Sequence, residues 1–413
     1  VDRVLVDEIY DDDIVYHNSY MEYLKEVYEF FLSTENKQKY LEYNKSFSNF
    51  SSSKVKDYVK SPYIFFVKRV LGIFQEENYE ITPFNKGNFY HAVMEDSRIL
   101  EYVAKQGELL ANLDEIDQFD ENKYLIPVRS LLLEVINNTI NDNIVDFMTI
   151  INSKKMNYYE FNTIINRLTK LIIYEIYYTA ISGYKATEVE KNFEFTITGD
   201  KIIYKDDDKE KFINLPRIYN IPTISFRGKI DRIDQKDNKY LLIDYKSSKS
   251  DFEYSKFYNG EDSQLLTYLI ATILLKDIKI EQVLGIFYRQ ITEDKSNVRL
   301  KGLVNQDVLL GEDFARSASK IMFAGITKEN KVNGHYKNRT LTSSEFEKFV
   351  KINIDNILTT IEKIYSFDYS ALNKETELQE LYDYSKNKLN SDDNNKSVGN
   401  TAQVKKLLLE KDL

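Results

Sequence analysis

Residues 223–246 constrain the fold of this chain more than any other stretch. TISFRGKIDRID alternates around Ile224, Phe226, Gly228 and Ile230, the period-2 signature of a strand. Asp237-Asn238 then turns the chain, and KYLLIDYK follows as a strongly apolar, buried strand. Side chains alternate across a strand, so Asp244 and Lys246, two apart, project from one face. The hairpin brings Asp231, at the end of the first strand, close to Asp244. Two carboxylates and an ammonium are thus expected to meet at the end of an apolar sheet.

That arrangement suits a hard divalent cation. Adjacent carboxylates repel, and one pKa rises unless a cation neutralises the pair. Mg²⁺ or Mn²⁺ fits because such ions prefer oxygen ligands, polarise phosphoryl oxygens and lower the pKa of water. Lys246 can orient that water and stabilise developing charge. An acid-x-lysine pair means little alone; it recurs at Glu35/Lys37, Asp207/Lys209, Asp237/Lys239 and Glu329/Lys331. What distinguishes Asp244 and Lys246 is the preceding Leu241-Leu242-Ile243, where unpaired charge is costly. An ordinary strand-end ion pair is the competing reading. Other metal chemistries are closed off. The sequence has no cysteine, which excludes disulfides, zinc–thiolate sites, iron–sulfur clusters and cysteine nucleophiles, and only three histidines, His17, His91 and His335.

Most of the remaining chain reads as helix. Expected helices cover 18–45, Lys54–Val59 after a Ser51–Ser53 cap, a stretch from Pro62 to Gly72, and one from near Asn85 past Leu100. Two long helices are expected over 121–182. EKNFEFTIT then alternates, Gly199-Asp200 makes a hairpin turn, KIIY follows, and Asp206–Lys211 reads as a charged loop. After the central hairpin come a helix over Ser263–Leu275, the apolar strand QVLGIFYRQI, and a helix over Glu345–Tyr365. Ser391–Thr401 reads as a loose polar tail. The expected fold class is α/β: a mixed sheet flanked by helices, with large helical insertions. No apolar run reaches the ~18 residues of a membrane span, and no secretory leader is visible. A cytoplasmic setting is expected. The first residue, Val1, suggests a processed product or the tail of something longer.

RGKIDRIDQKDNKYLLIDYKSSKS resembles the nuclease core of the PD-(D/E)XK superfamily, in particular its RecB/AddB branch. Gln264 and Tyr268 match that branch's Q-x-x-x-Y helix motif, and Gly87 through His91 its G-x-x-x-H helix start. FSSSKVKDYVKSPYIFFVKRVLG resembles its opening segment, with Ser61 where many relatives carry the first cysteine of an iron–sulfur site. The four motifs stand in the right order over residues 48–291. The resemblance implies a restriction-endonuclease-like fold and a Mg²⁺- or Mn²⁺-dependent deoxyribonuclease without the cluster. It implies His91, Asp231, Asp244 and the Tyr245 carbonyl as metal ligands, and Lys246 as the residue that positions water. Gln264 and Tyr268 would contact DNA phosphates or the catalytic residues. Glu95, one turn beyond His91, could support the site or be a solvated carboxylate.

The expected division is an N-terminal helical extension (1–50), the nuclease domain (51–370, with a helical insertion at about 105–182) and a C-terminal tail (371–413). The net charge of −10 argues against coating DNA by bulk charge, but local phosphate contacts set affinity. Lys54, Lys56, Lys60, Lys68 and Arg69, interleaved with Tyr58, Tyr63, Phe65 and Phe66, form one basic stretch; Lys246, Lys249 and Lys256 form another. Core packing is the competing reading for each aromatic. No Walker A motif occurs, so a helicase motor would lie on another chain or in an N-terminal part. The leading expectation is an exonuclease acting on DNA ends or single strands within an AddB-like repair complex. A stand-alone phage-type or CRISPR-adaptation exonuclease, and a non-catalytic DNA-binding or scaffold module, are the alternatives.

Overall fold

The computed structural model describes residues 26, 29, 30, 33–43, 45–70, 81–111, 119–155, 157–206, 209–248, 250–294, 298–312, 314, 321–323 and 334–368. In chain order the helices are α1 (Thr34–Tyr43), α2 (Ser52–Lys60), α3 (Pro62–Phe65, continued by a π turn to Val70), α4 (Pro83–Met94), α5 (Ser97–Ala111), α6 (Asn122–Asn137), α7 (Asp142–Ser153), α8 (Asn157–Ser182), α9 (Tyr254–Tyr258), α10 (Gln264–Lys276), α11 (Gln306–Leu310) and α12 (Ser343–Tyr365). The strands are β1 (Asn49–Phe50), β2 (Lys185–Ile197), β3 (Lys201–Asp206), β4 (Lys209–Asn214), β5 (Ile224–Lys236), β6 (Lys239–Lys246), β7 (Val283–Gln290), β8 (Lys301–Asn305) and β9 (Thr340–Leu341). They form one mixed nine-stranded sheet in the order β4-β3-β2-β5-β6-β7-β8-β9, with β1 parallel to the start of β5. This is the α/β class expected: a mixed sheet with helices on it.

Two compact units share the chain. The described residues of the first fall within Val1–Asn78, Glu194–Arg227 and Ile354–Ser397. Ser51 caps α2 as expected, its Oγ accepting from the Lys54 N–H. Phe47, Phe50, Tyr58, Phe65 and Phe66 are buried there. The buried Lys54 ammonium lies over the rings of Phe47 (5.0 Å) and Phe50 (4.6 Å) and donates to the Asn49 carbonyl. Within the expected basic–aromatic stretch Tyr58, Phe65, Phe66 and Lys54 are therefore core, because aromatics and the lysine stem pack their apolar bodies inward. Lys56, Lys60, Lys68 and Arg69 stay on the surface. Arg69 pairs with Asp57 at 2.6 Å.

The second unit falls within Tyr79–Phe193, Gly228–Asn353 and Val398–Leu413. Its helix α8 is buried along most of its length, and the α4–α8 helices share a core with Leu241, Ile243 and Tyr245 of β6. Strands β5 and β6 pair antiparallel around the Asp237-Asn238 turn, with Asp237 at φ 51°. Such left-handed backbone is tolerated by aspartate and suits a tight turn. The connection through α9 and α10 then returns the chain to β7, parallel to β6.

Several boundaries differ from the periodicity. Residues 124–151 form two helices rather than one, since Asn138–Asn141 interrupts them and Asn141 caps α7 through the Asn143 N–H. Asparagine side chains compete with helical hydrogen bonds, so the break wins over the apolar spacing. The helix expected past Leu100 likewise stops at Met94 and restarts at Ser97. Lys209–Lys211 belong to β4 rather than to a charged loop. Asp231 lies inside β5, which continues to Lys236, and not at its end. Strands β8 and β9 have no clear periodic signal and were not expected. His17, Leu71-Gly72, Lys249, the tail 391–401, most of 18–32 and the His335 side chain lie outside the described residues.

Candidate metal centre

Every residue of the site belongs to the second unit. Asp231 and Asp244 face each other across β5 and β6, because Arg232 pairs with Ile243 in the antiparallel register. Both Asp231 oxygens are held: Tyr268 Oη donates to Oδ1 at 3.0 Å and the Tyr245 N–H to Oδ2 at 2.9 Å. Asp244 is fully buried; one of its oxygens pairs with the Lys246 ammonium, and Oδ1 has no hydrogen-bond partner among the described residues. A buried carboxylate oxygen without a partner is costly unless a further cation sits nearby.

Lys246 donates to Gln264 Oε1 at 2.9 Å, and Gln264 Nε2 donates to Tyr268 Oη at 2.7 Å. The i, i+4 spacing on α10 puts these two side chains on one face. They therefore form a chain of hydrogen bonds from Lys246 to Asp231. Burial works against the Lys246 charge, but Asp244 and Asp231 outweigh it and raise its pKa.

His91 reaches the site from α4. Its Nδ1 lies 2.9 Å from Glu190 Oε1 and 3.5 Å from Asp231 Oδ2. Burial alone would lower the His91 pKa; the Glu190 hydrogen bond and the Asp231, Glu190 and Asp244 charges push it up to about 9. Burial, then the Asp244 charge, raise Asp231 well above the usual carboxylate range, against the pull of His91 and Lys246. Ligand atoms of His91, Glu190 and Asp231 all lie within 4.8 Å of one another.

Glu190 is the member that sequence reasoning missed. It sits in β2 at φ 46°, in the left-handed region rare for such a residue. The strand alternation is broken there, since Lys191 and Asn192 are both exposed before regular alternation resumes at Phe193. Nothing in Thr187-Glu188-Val189-Glu190 announces that kink. Its other oxygen pairs with Lys229 at 2.9 Å. Glu95 ends α4 but stays outside the close group, its Oε1 accepting from Asn141 Nδ2 at 2.9 Å.

The opposite face of β5–β6 carries a second buried cluster. Glu175 of α8 lies between two guanidiniums, 2.7 Å from Arg232 Nη1 and 2.5 Å from Arg289 Nη1. Arg232 also grips Asp234 through two nitrogens, at 2.5 and 2.8 Å. Tyr245 Oη accepts from Arg232 Nη1 at 2.6 Å. So Tyr245 ties both clusters together, by its ring hydroxyl on one side and its backbone N–H on the other.

A sequence profile of the PD-(D/E)XK nuclease superfamily matches residues 49–358. The chain belongs to the PD-(D/E)XK nuclease superfamily. Curated relatives are named as subunits of an ATP-dependent helicase/deoxyribonuclease. One from Lactobacillus gasseri is 26% identical over 294 residues, 67% of this chain and 22% of the relative. One from Latilactobacillus sakei is 26% identical over 283 residues, 63% of this chain and 21% of the relative. A Streptococcus agalactiae relative is 36% identical over 129 residues, 30% of this chain and 12% of the relative. The chain thus spans less than a quarter of the length of these relatives. As a superfamily member with this acidic centre, the chain is a nuclease by class. With no cysteine in its sequence, it supplies no thiolate for an iron–sulfur cluster.

Proposed function

We propose that this chain is a divalent-metal-dependent deoxyribonuclease whose centre is built from His91, Asp231, Asp244 and Glu190. The observation that carries this is the convergence of three ligand-type side chains within 4.8 Å, beside a buried Asp244 whose Oδ1 has no partner among the described residues. That donor set, three carboxylates and one imidazole, suits Mg²⁺ or Mn²⁺. The Tyr245 carbonyl is a further proposed ligand. When bound, the ion would polarise a phosphodiester and acidify an attacking water.

The protein's own groups do the rest. Tyr268 and the Tyr245 N–H fix both oxygens of Asp231, and so fix which lone pairs point into the centre. His91 must be neutral to act as a ligand, so protons compete for its place. Lys246, held by Gln264, directs its ammonium toward the reacting phosphate and offsets the charge that develops there. Gln264 and Tyr268 act through Lys246 and Asp231. Residues 51–370 form the proposed nuclease domain, with 105–182 as its helical insertion.

DNA ends or single strands are the proposed substrate, and exonucleolytic cleavage the proposed mode. The relatives' shared name supports placement beside a helicase, on a partner chain or in a helicase-like region of the same polypeptide. No helix among the described residues is long and apolar enough to cross a membrane; the cytoplasm is the proposed compartment. The test is cleavage of labelled DNA with Mg²⁺ or Mn²⁺, wild type against Asp244→Ala and Lys246→Ala. Metal-dependent cutting that is slowed at least about 10³-fold yet still measurable in both variants is expected; cutting at the wild-type rate in both would sink the assignment. Linear against closed circular substrate separates end-dependent from internal cleavage.

A further inference from the structure

We infer that Tyr288 is a positioning residue for Lys246, acting with Asp262 and in addition to Gln264. This rests on the nuclease reading above and deepens it. Tyr288 is on β7, directly beside Asp244 in the parallel β6–β7 register, so its side chain shares the face of the acidic centre. It is buried, at 5% exposure. The Lys246 ammonium lies 5.4 Å from the centre of its ring, within the range of cation–π attraction. Its hydroxyl donates to Asp262 Oδ1 at 2.5 Å.

The geometry closes a loop around the lysine. Asp262 lies two residues before Gln264, which opens α10 and accepts from Lys246. Holding Asp262 therefore holds the start of the helix that presents Gln264. Asp262 is also anchored to α9, its N–H donating to the Lys256 carbonyl at 3.3 Å. Lys246 thus meets three groups from three elements: the Asp244 carboxylate, the Gln264 amide and the Tyr288 ring. A flexible four-carbon side chain has many rotamers, and each such contact removes some of them. Without the ring, the ammonium keeps its charge but loses a fixed direction, and a small misplacement of a charge-stabilising group costs rate rather than binding. Tyr288 touches no reacting atom in this scheme.

The experiment is a double-substitution cycle on the full chain. Cleavage of labelled linear DNA is measured with Mn²⁺ for wild type, Tyr288→Leu, Lys246→Ala and the double variant, alongside thermal melts. Tyr288→Leu is expected to lower kcat about 10- to 30-fold, with KM and the half-saturating metal concentration within about twofold. Tyr288→Phe, which keeps the ring, should stay within about threefold of wild type. In the Lys246→Ala background Tyr288→Leu should change kcat by less than about twofold, because its route of action is gone. An equal loss in both backgrounds, or a loss confined to KM or metal affinity, overturns the inference. If Tyr288→Leu does not fold, Asp262→Ala takes its place: about a threefold to fivefold loss of kcat that disappears without Lys246. Absence of cleavage by the wild type would instead remove the nuclease reading itself, and this inference with it.

Discussion

Strands β5 and β6 carry a buried polar cluster on each face, and the two differ in how their charge is balanced. On one face Glu175 and Asp234 meet Arg232 and Arg289, two carboxylates against two guanidiniums. On the other, Asp231, Asp244 and Glu190 meet Lys246, Lys229 at the rim and His91. There the balance depends on a proton on His91, which burial would strip and the carboxylates retain. The first face pairs carboxylates with guanidiniums, although Arg289 Nε and Nη2 have no partner among the described residues. On the second, the charge is completed by an exchangeable proton, which is the proton that the proposed metal cation would replace.

The largest effect should come from the Asp231–Asp244 face. Asp244→Ala and Lys246→Ala should each lower cleavage at least about 10³-fold, while Asp244→Asn leaves the metal-free melting temperature unchanged or higher, since it relieves the repulsion between the buried Asp231 and Asp244 carboxylates. Cleavage rates and thermal melts in chelator check this. A large fall in Tm for Asp244→Asn would show that the carboxylate is structural, like Glu175.

Next comes the balanced face. Glu175→Gln leaves two buried guanidiniums without their shared anion and should cost about 3–5 kcal/mol of folding stability, read from urea denaturation. If the loss is under about 1 kcal/mol, the two clusters are not the different kinds of object described above.

Acidity sharpens the contrast further. His91 holds its proton up to about pH 9 in the fold, above its unfolded value of 6.5, so the folded state binds more protons between these values. The stability it supplies is complete below pH 6.5 and is lost as pH rises through about 9. Asp231, also raised, works in the same direction from the usual carboxylate range upward. In chelator, Tm should therefore fall from pH 6.5 to pH 9, and added Mg²⁺ or Mn²⁺ should restore more at pH 9, where fewer protons compete. A Tm that rises with pH in chelator would contradict the charge assignment. The smallest effect concerns support: Tyr268→Phe removes one hydrogen bond to Asp231 and should raise the half-saturating metal concentration about 10-fold, measured by activity titration.

Much of the Asp231–Asp244 face is legible in the sequence, because it is written in short-range spacing. Strand alternation put Asp244 and Lys246 on one side, the hairpin turn brought Asp231 opposite, and helical spacing joined Gln264 to Tyr268. His91 was legible only through its resemblance to a helix motif, since a lone histidine says little. The balanced face was not legible at all. Glu175 and Arg289 are separated by 114 residues, and each alone reads as a charged residue in an apolar segment.

What the sequence by itself determined is local: the β5–β6 hairpin, the α10 face, the Ser51 cap and the absence of any thiolate. Each follows from a preference acting over a few residues. The tertiary structure decided the long-range and irregular parts. It put Glu190 beside His91 by bending β2 into a left-handed conformation, buried Lys54 over two rings, and set Tyr288 against Lys246 by parallel pairing across the α9–α10 connection. Packing energy can impose such placements against local preference, because a strained dihedral or a buried charge is tolerated where many surrounding contacts hold it.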